Sequence, residues 1–290
     1  VRSAELIVVP TPAFAQVDIA RAMAPHVENG QVVFLPPGTF GSVVMAKTLR
    51  EAGSPARVTF AETGTLPYLA RKHGPAEIAI TVRAKRLPTG VFPSRDADRA
   101  LAVIRSAYPS IEPIDDALSA ALMNAGPIIH PPLILMNAAP LEHFERWDIH
   151  NEGTQPSVRR TTDQLDAERI AIREALGYPP YHFPLRDHYT SDRWMYGDAH
   201  DKLTDSGDWR EHIALATHRY MREDVEYGLA FLVSVARWAG VEAPIAAGML
   251  AIGSAICSVD FRATSPRTLE ALGLAGFRRE QMNALLRDGF

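Results

Sequence analysis

Between Glu5 and Phe92 the apolar residues fall in short runs, Leu6 to Val9, Gln31 to Leu35 and Arg57 to Phe60, with helix-like spacing between them over Val17 to His26 and Ser42 to Ala52. A parallel strand pair needs a crossover between its members, so this alternation predicts βαβ units and a parallel sheet. Glu77 to Val82 and Arg86 to Phe92, three residues apart, predict a hairpin extending that sheet at one edge. From Asp96 onward the spacing is helical, over Asp98 to Ala107, Asp116 to Asn124, Pro131 to Ala138, Asp163 to Leu176, Glu223 to Trp238, Pro244 to Ser258 and Pro266 to the end. Thr161 and Gln164 stand in capping-box spacing, Pro244 and Pro266 suit first turns, and Gly177 and Gly240 suit left-handed caps. Tyr178 to Gly207, rich in Pro, Tyr, His and Asp, predicts a long irregular loop of the kind that carries function.

The fold class expected is therefore α/β plus all-α, with one domain over residues 1–95 and a second, helical one over 96–290. A chain of 290 residues has room for both. With 47% hydrophobic and 22% charged residues and a net charge of -4, it has the balance of a soluble globular protein and no electrostatic reason to seek nucleic acid or an anionic membrane. No uncharged apolar run of ~18 residues and no signal-peptide pattern is evident, so small-molecule ligands and a cytoplasmic location are expected. The single cysteine, Cys257, excludes an intrachain disulfide and a cysteine-rich zinc site.

The first two strands run into Pro10-Thr11 and Pro37-Gly38, which makes these four residues candidate cofactor contacts, since ligands of open α/β sheets bind outside the carboxyl ends of the strands. No glycine-rich G-x-G-x-x-G turn is present, and the reading expected from this is a chain that starts inside a dinucleotide-binding domain. His130 lies between apolar residues and the pair Pro131-Pro132, which is suited to opening a helix; at a helix N-terminus the dipole favours neutral imidazole, apt for proton transfer. A satisfied core histidine is the plainer alternative. His218 to Val225 gathers Arg219, Arg222, Glu223 and Asp224 ahead of an apolar helix. It reads either as a salt-bridged helix start or as an arginine fork for a carboxylate with an acid that orients a histidine. His182, His188, His200 and His212 lack helical H-x-x-x-H pairing, and no metal is expected.

The blocks Ala61 to Tyr68, Asn124 to Pro131, Met136 to Glu142, Leu165 to Arg169 and Arg222 to Asp224 resemble, in order and spacing, the octopine/nopaline (opine) dehydrogenase family. The resemblance implies a Rossmann-like NAD(P)-binding domain, here lacking its first part, followed by a helical substrate domain like the C-terminal one of 6-phosphogluconate dehydrogenase. It implies NAD(P)H-dependent reductive joining of an amino acid to a 2-keto acid, with His130 as acid/base, Asp224 as its partner and Arg219 on the keto acid carboxylate. It also puts Glu62, Trp194 and Asn124 near the substrate. A ketopantoate-reductase-like dehydrogenase and a non-catalytic dimerisation module are the alternatives, the apolar helices Leu229 to Val235 and Ile245 to Ile256 fitting a core or a homodimer interface equally well.

Overall fold

The structure, a computed structural model, describes residues 1–197 and 212–290. The chain forms two compact units, each discontinuous in sequence: Val1–Leu66, Arg86–Asn124 and Leu272–Phe290 in the first, Pro67–Lys85 and Ala125–Ala271 in the second. The division expected at 95/96 thus falls inside the first unit.

That unit is a five-stranded sheet in the order β1-β2-β3-β6-β7, formed by Leu6–Val8, Val32–Leu35, Thr59–Thr63, Leu87–Phe92 and Ile111–Pro113. β1, β2 and β3 run parallel, joined through α1 (Gln16–Met23) and α2 (Gly41–Glu51). β2, β3 and β6 are buried along their whole length, which is what helices on both faces of a parallel sheet require and why β2 reads as an unbroken apolar run. β6 enters antiparallel to β3, Phe60 opposite Phe92. β7, which the helical periodicity after Asp96 hides, pairs parallel with β6. It follows α3 (Ala97–Arg105) and precedes α4 (Ala117–Ala121). The last helix, Arg279–Asp288, returns here, and Phe290 packs edge-on against Phe92 at 5.7 Å.

The predicted hairpin is replaced by another. β5 (Glu77–Arg83) pairs with β4 (Tyr68–Gly74) across the turn Pro75-Ala76, and β6 belongs to the other unit. Gly74-Pro75 is the turn signal that sets this pairing. The remainder of the second unit is helical: α5 (Gly126–Leu135), α6 (Ala138–His143), α7 (Pro156–Ala175), α8 (Arg186–Thr190), a π-helical segment Tyr220–Leu229 that continues as α9 (Ala230–Ala239), α10 (Pro244–Cys257) and α11 (Phe261–Thr264). α7 starts seven residues ahead of the predicted Asp163, and Thr161 bonds the Ser157 carbonyl within it rather than capping it. Pro266 opens no helix, whereas Gly177 and Gly240 do take positive φ, 76° and 72°. Ala117–Leu135 is long and apolar enough to cross a membrane by composition, but it is broken into α4 and α5 and 83% buried.

Three buried side chains shape the loop after β2. Gln16 donates to the Gly38 carbonyl (3.0 Å), Asn124 donates to Thr39 Oγ1 (2.8 Å), and Glu62 accepts from the Phe40 (2.7 Å) and Ser42 (3.3 Å) amides and the Ser42 hydroxyl. These contacts hold Thr39 and Phe40 at φ 53° and 63°, a conformation costing on the order of 1–3 kcal/mol per residue without such support. The carboxylate of Glu62 also serves the amides of α2's first turn, where negative charge is favourable. A Cβ on Gly38 would lie 2.2 Å from Glu62 Oε2. Gly38→Ala is therefore expected to displace this carboxylate and cost about 2–3 kcal/mol, seen as a lowered Tm; an unchanged melt would show that the latch is not needed.

Candidate active site

His130 lies in the second turn of α5, not ahead of the helix as Pro131-Pro132 predicted; both prolines are inside it. They lack an N–H, so the carbonyls of Pro127 and Ile128 receive no bond from the following turn. His130 Nδ1 meets Asp224 Oδ2 at 2.7 Å, 94 positions away in sequence, and 21% and 7% of the two side chains remain accessible. Tyr220 lies flat on the imidazole, centroids 3.7 Å apart and planes 11° from parallel. The Arg219 guanidinium carbon is 5.2 Å from the centre of the same tyrosine ring, and His218 meets that ring edge-on at 4.5 Å.

The π-helical backbone gathers this set. In an α-helix a residue five positions on is rotated by about 140°, but bonding over i→i+5 brings positions four and five apart nearly above one another. Asp224 can then share a side with Tyr220 and Arg219. Close approach to α5 depends on Gly228, whose Cβ would fall 2.3 Å from Pro127 Cγ. Of the rest of the cluster, Arg222 pairs with Glu226 at 3.0 Å and the charge of Glu223 bears on Arg219.

Burial, and after it the positive charges of Arg219 and Arg71, hold His130 well below 6.5. The low value expected from a helix dipole thus has a different cause. Burial raises Asp224 to about 8, against the pull of Arg219. The pair therefore keeps one proton between Nδ1 and Oδ2 near neutral pH, and burial disfavours the separated ion pair. Two neighbours escaped the sequence reading. Arg71 on β4 sends its field onto His130, Tyr220 and His150. His150 is driven to about 3 by burial and then by His130, so it stays a neutral imidazole. Its turn is shaped by Asp148, which accepts the His150 and Asn151 amides. Only the W-D-I-H-N-E-G turn could have signalled it, and such a turn is common.

Other sequence candidates lie elsewhere. Trp194 is buried, donates to the Phe183 carbonyl (3.1 Å) and packs on His188 and Tyr196. Glu62 and Asn124 are the loop latches described above, with polar atoms engaged with Phe40, Ser42 and Thr39. The close neighbour that demands a glycine at position 38 is Glu62, not a cofactor. His182 accepts from Arg173, His212 is exposed, and His200 lies outside the described residues. Among the described residues no three His, Cys, Asp or Glu gather around a metal position.

Residues 113–257, which contain His130, Arg219 and Asp224, match the family described as NAD/NADP octopine/nopaline dehydrogenase, alpha-helical domain. The chain is 32% identical over 280 residues to an opine dehydrogenase of Arthrobacter sp. (strain 1C), covering 95% of this chain and 77% of that relative. The chain belongs to the octopine/nopaline dehydrogenase family. It is 26% identical over 289 residues to a vitopine synthase of Allorhizobium ampelinum, covering 94% of this chain and 75% of that one. A solved octopine dehydrogenase with NADH and L-arginine shares the fold, at TM-score 0.68 and 17% identity over 99% of this chain and 79% of that one. Family membership makes the protein an NAD(P)-dependent oxidoreductase of the opine dehydrogenase type.

Pro10-Thr11 and Pro36 to Gly38 follow β1 and β2 at their carboxyl ends, where open sheets bind dinucleotides. Thr11 Oγ1 is buried there without a hydrogen-bond partner among the described residues, so the site retains a polar group for a ligand to satisfy.

The proton shared by His130 and Asp224 has a stability signature. A raised Asp224 contributes stability that is lost as pH rises from 3.8 through about 8, and a lowered His130 contributes the opposite trend up to 6.5. Up to 6.5 the unfolded chain carries its one proton on histidine and the two trends offset. Between 6.5 and about 8 only the folded pair keeps a proton, so stability should fall by at most ~2 kcal/mol. Denaturant titrations across this range should show that fall in the wild type and none in Asp224→Asn; equal slopes would mean that the pair holds no such proton.

Proposed function

We propose that this protein condenses an L-amino acid with a 2-keto acid and reduces the product to a secondary-amine dicarboxylate, using NAD(P)H. The observation that carries the assignment of roles is the His130–Asp224 contact with Arg219 beside it. The first unit holds the cofactor, with Pro10, Thr11 and Pro37 as contacts, and the second holds the substrates. Bound NAD(P)H supplies the hydride that reduces the imine carbon. The chain's own part is placement and proton transfer. Arg219 takes the keto acid carboxylate as a two-point hydrogen-bonded pair and so orients the carbonyl. The amine lone pair of the amino acid then attacks that carbonyl carbon. Loss of water from the adduct needs a proton on the departing hydroxyl, and His130 delivers it from Nε2, the nitrogen not engaged by Asp224. Asp224 fixes the tautomer, and the proton it shares passes to Nδ1 as Nε2 gives up its own, so the ring stays neutral and the carboxylate takes the negative charge. The cytoplasm, where NAD(P)H, amino acids and keto acids are available together, is the compartment this reaction calls for.

Cofactor oxidation is to be followed with a panel of amino acids, each with pyruvate, glyoxylate or 2-oxoglutarate. Oxidation that needs both substrates is expected, and oxidation with a keto acid alone would point to a simple ketone reductase. His130→Gln should lower kcat by roughly 100-fold or more. Near-normal turnover would remove His130 from the mechanism. Arg219→Lys keeps the charge but loses the fork, so the KM of the keto acid should rise ~10-fold or more with a smaller change in kcat. An unchanged KM would place the carboxylate elsewhere.

A further inference from the structure

Tyr220 takes no part in the chemistry above, yet it touches two of the three side chains that do, His130 and Arg219. Its ring is 2% exposed, stacks face to face on the His130 imidazole at 3.7 Å, and has the Arg219 guanidinium carbon 5.2 Å from its centre. The hydrogen bond to Asp224 constrains only one edge of the imidazole; the ring can still pivot about the Nδ1–Oδ2 line, which would swing Nε2 off its target. A flat surface against the imidazole face removes that pivot. We infer that Tyr220 is a positioning residue whose ring locks the plane of His130 and seats Arg219, fixing the proton donor and the carboxylate holder relative to one another. This rests on the roles proposed above for those two residues.

The stack also has an electrostatic side. The electron-rich face of a tyrosine favours a cation over it, which supports the protonated imidazole where other neighbours oppose it. The groups around His130 are Asp224 from the π-helical segment, Arg219 just ahead of it, Arg71 from β4 and His150, itself acted on by His130, from the turn before α7. Arg219 and Arg71 oppose the charged form, and so does burial. A ring lost from this set leaves His130 harder to protonate.

The test compares Tyr220→Leu with Tyr220→Phe, the latter keeping the ring. Proton NMR of the imidazole, assigned by its disappearance in His130→Gln, reads the stack directly. Ring-current shielding should move the His130 ring protons upfield in the wild type and Tyr220→Phe, and that displacement should vanish in Tyr220→Leu. In steady-state kinetics Tyr220→Leu should lower kcat by ~10- to 100-fold, raise the KM of the keto acid and move the alkaline limb of the kcat/KM profile to lower pH. Tyr220→Phe should recover most of the loss in kcat. Unshifted imidazole protons in Tyr220→Leu, or a kcat within about twofold of wild type, would overturn the inference. If Tyr220→Leu does not fold by circular dichroism, Tyr220→Met fills the space without a flat ring and carries the same expectations. Absence of opine turnover in the wild type would count against the proposed function alone, and the NMR comparison would still decide whether the ring holds the imidazole.

Discussion

The contact between an imidazole on α5 and a carboxylate on a π-helical segment 94 positions later constrains much of the helical unit. A buried carboxyl without a partner would cost several kcal/mol, so the two backbones must approach and stay close. Small residues make the approach geometrically available: Gly228 lies against Pro127, and Gly253 of α10 leaves room for Val225, whose Cγ1 would come within 2.5 Å of an added Cβ. The widened helix turn then orients Tyr220 and Asp224 toward one imidazole. Packing, backbone form and protonation are thus three aspects of one arrangement.

Around that arrangement, buried polar side chains hold irregular backbone in place. Asp166 pairs with Arg169 and accepts the Leu185 amide, while Arg169 donates to the carbonyls of His182 and Phe183, which fixes the chain ahead of α8. Glu168, from the same sequence block, accepts the Ile245 and Ala246 amides and so caps α10. Asn137 bonds the carbonyls of Leu133 and Gly153 and accepts from Trp147, closing the turn that carries His150. Glu62 and Gln16 do the same for the loop after β2. Each such residue satisfies backbone groups that a loop cannot pair for itself.

This explains why the blocks that mark the family mix two kinds of residue. Glu62, Asn137, Asp166 and Glu168 all stand in those blocks, and all are engaged in holding backbone, whereas His130 and Asp224 face each other. A motif records that a polar residue is required without saying whether a ligand or an amide requires it. Trp194 shows the same ambiguity: an aromatic residue in a long loop suits a pocket, but this indole fills a core.

The sequence by itself determined the βαβ start, the helical character of most of the second half and the caps at Gly177 and Gly240, because hydrophobic period and glycine placement are local properties, while His130 and Asp224 stood out through the family resemblance. Tertiary structure alone decided which strands pair. β5 turned back on β4, β6 joined β3, and the short β7 found a partner in β6, since a strand of three residues or an exposed hairpin carries too little pattern to name its neighbour. It also decided that the last helix returns to the first unit, that residues 220 to 229 wind as a π-helix rather than an α-helix, that Arg71 bears on His130, and that His130 bears on His150. These last facts depend on contacts between distant segments, whose free energy is not written in any local window of the chain.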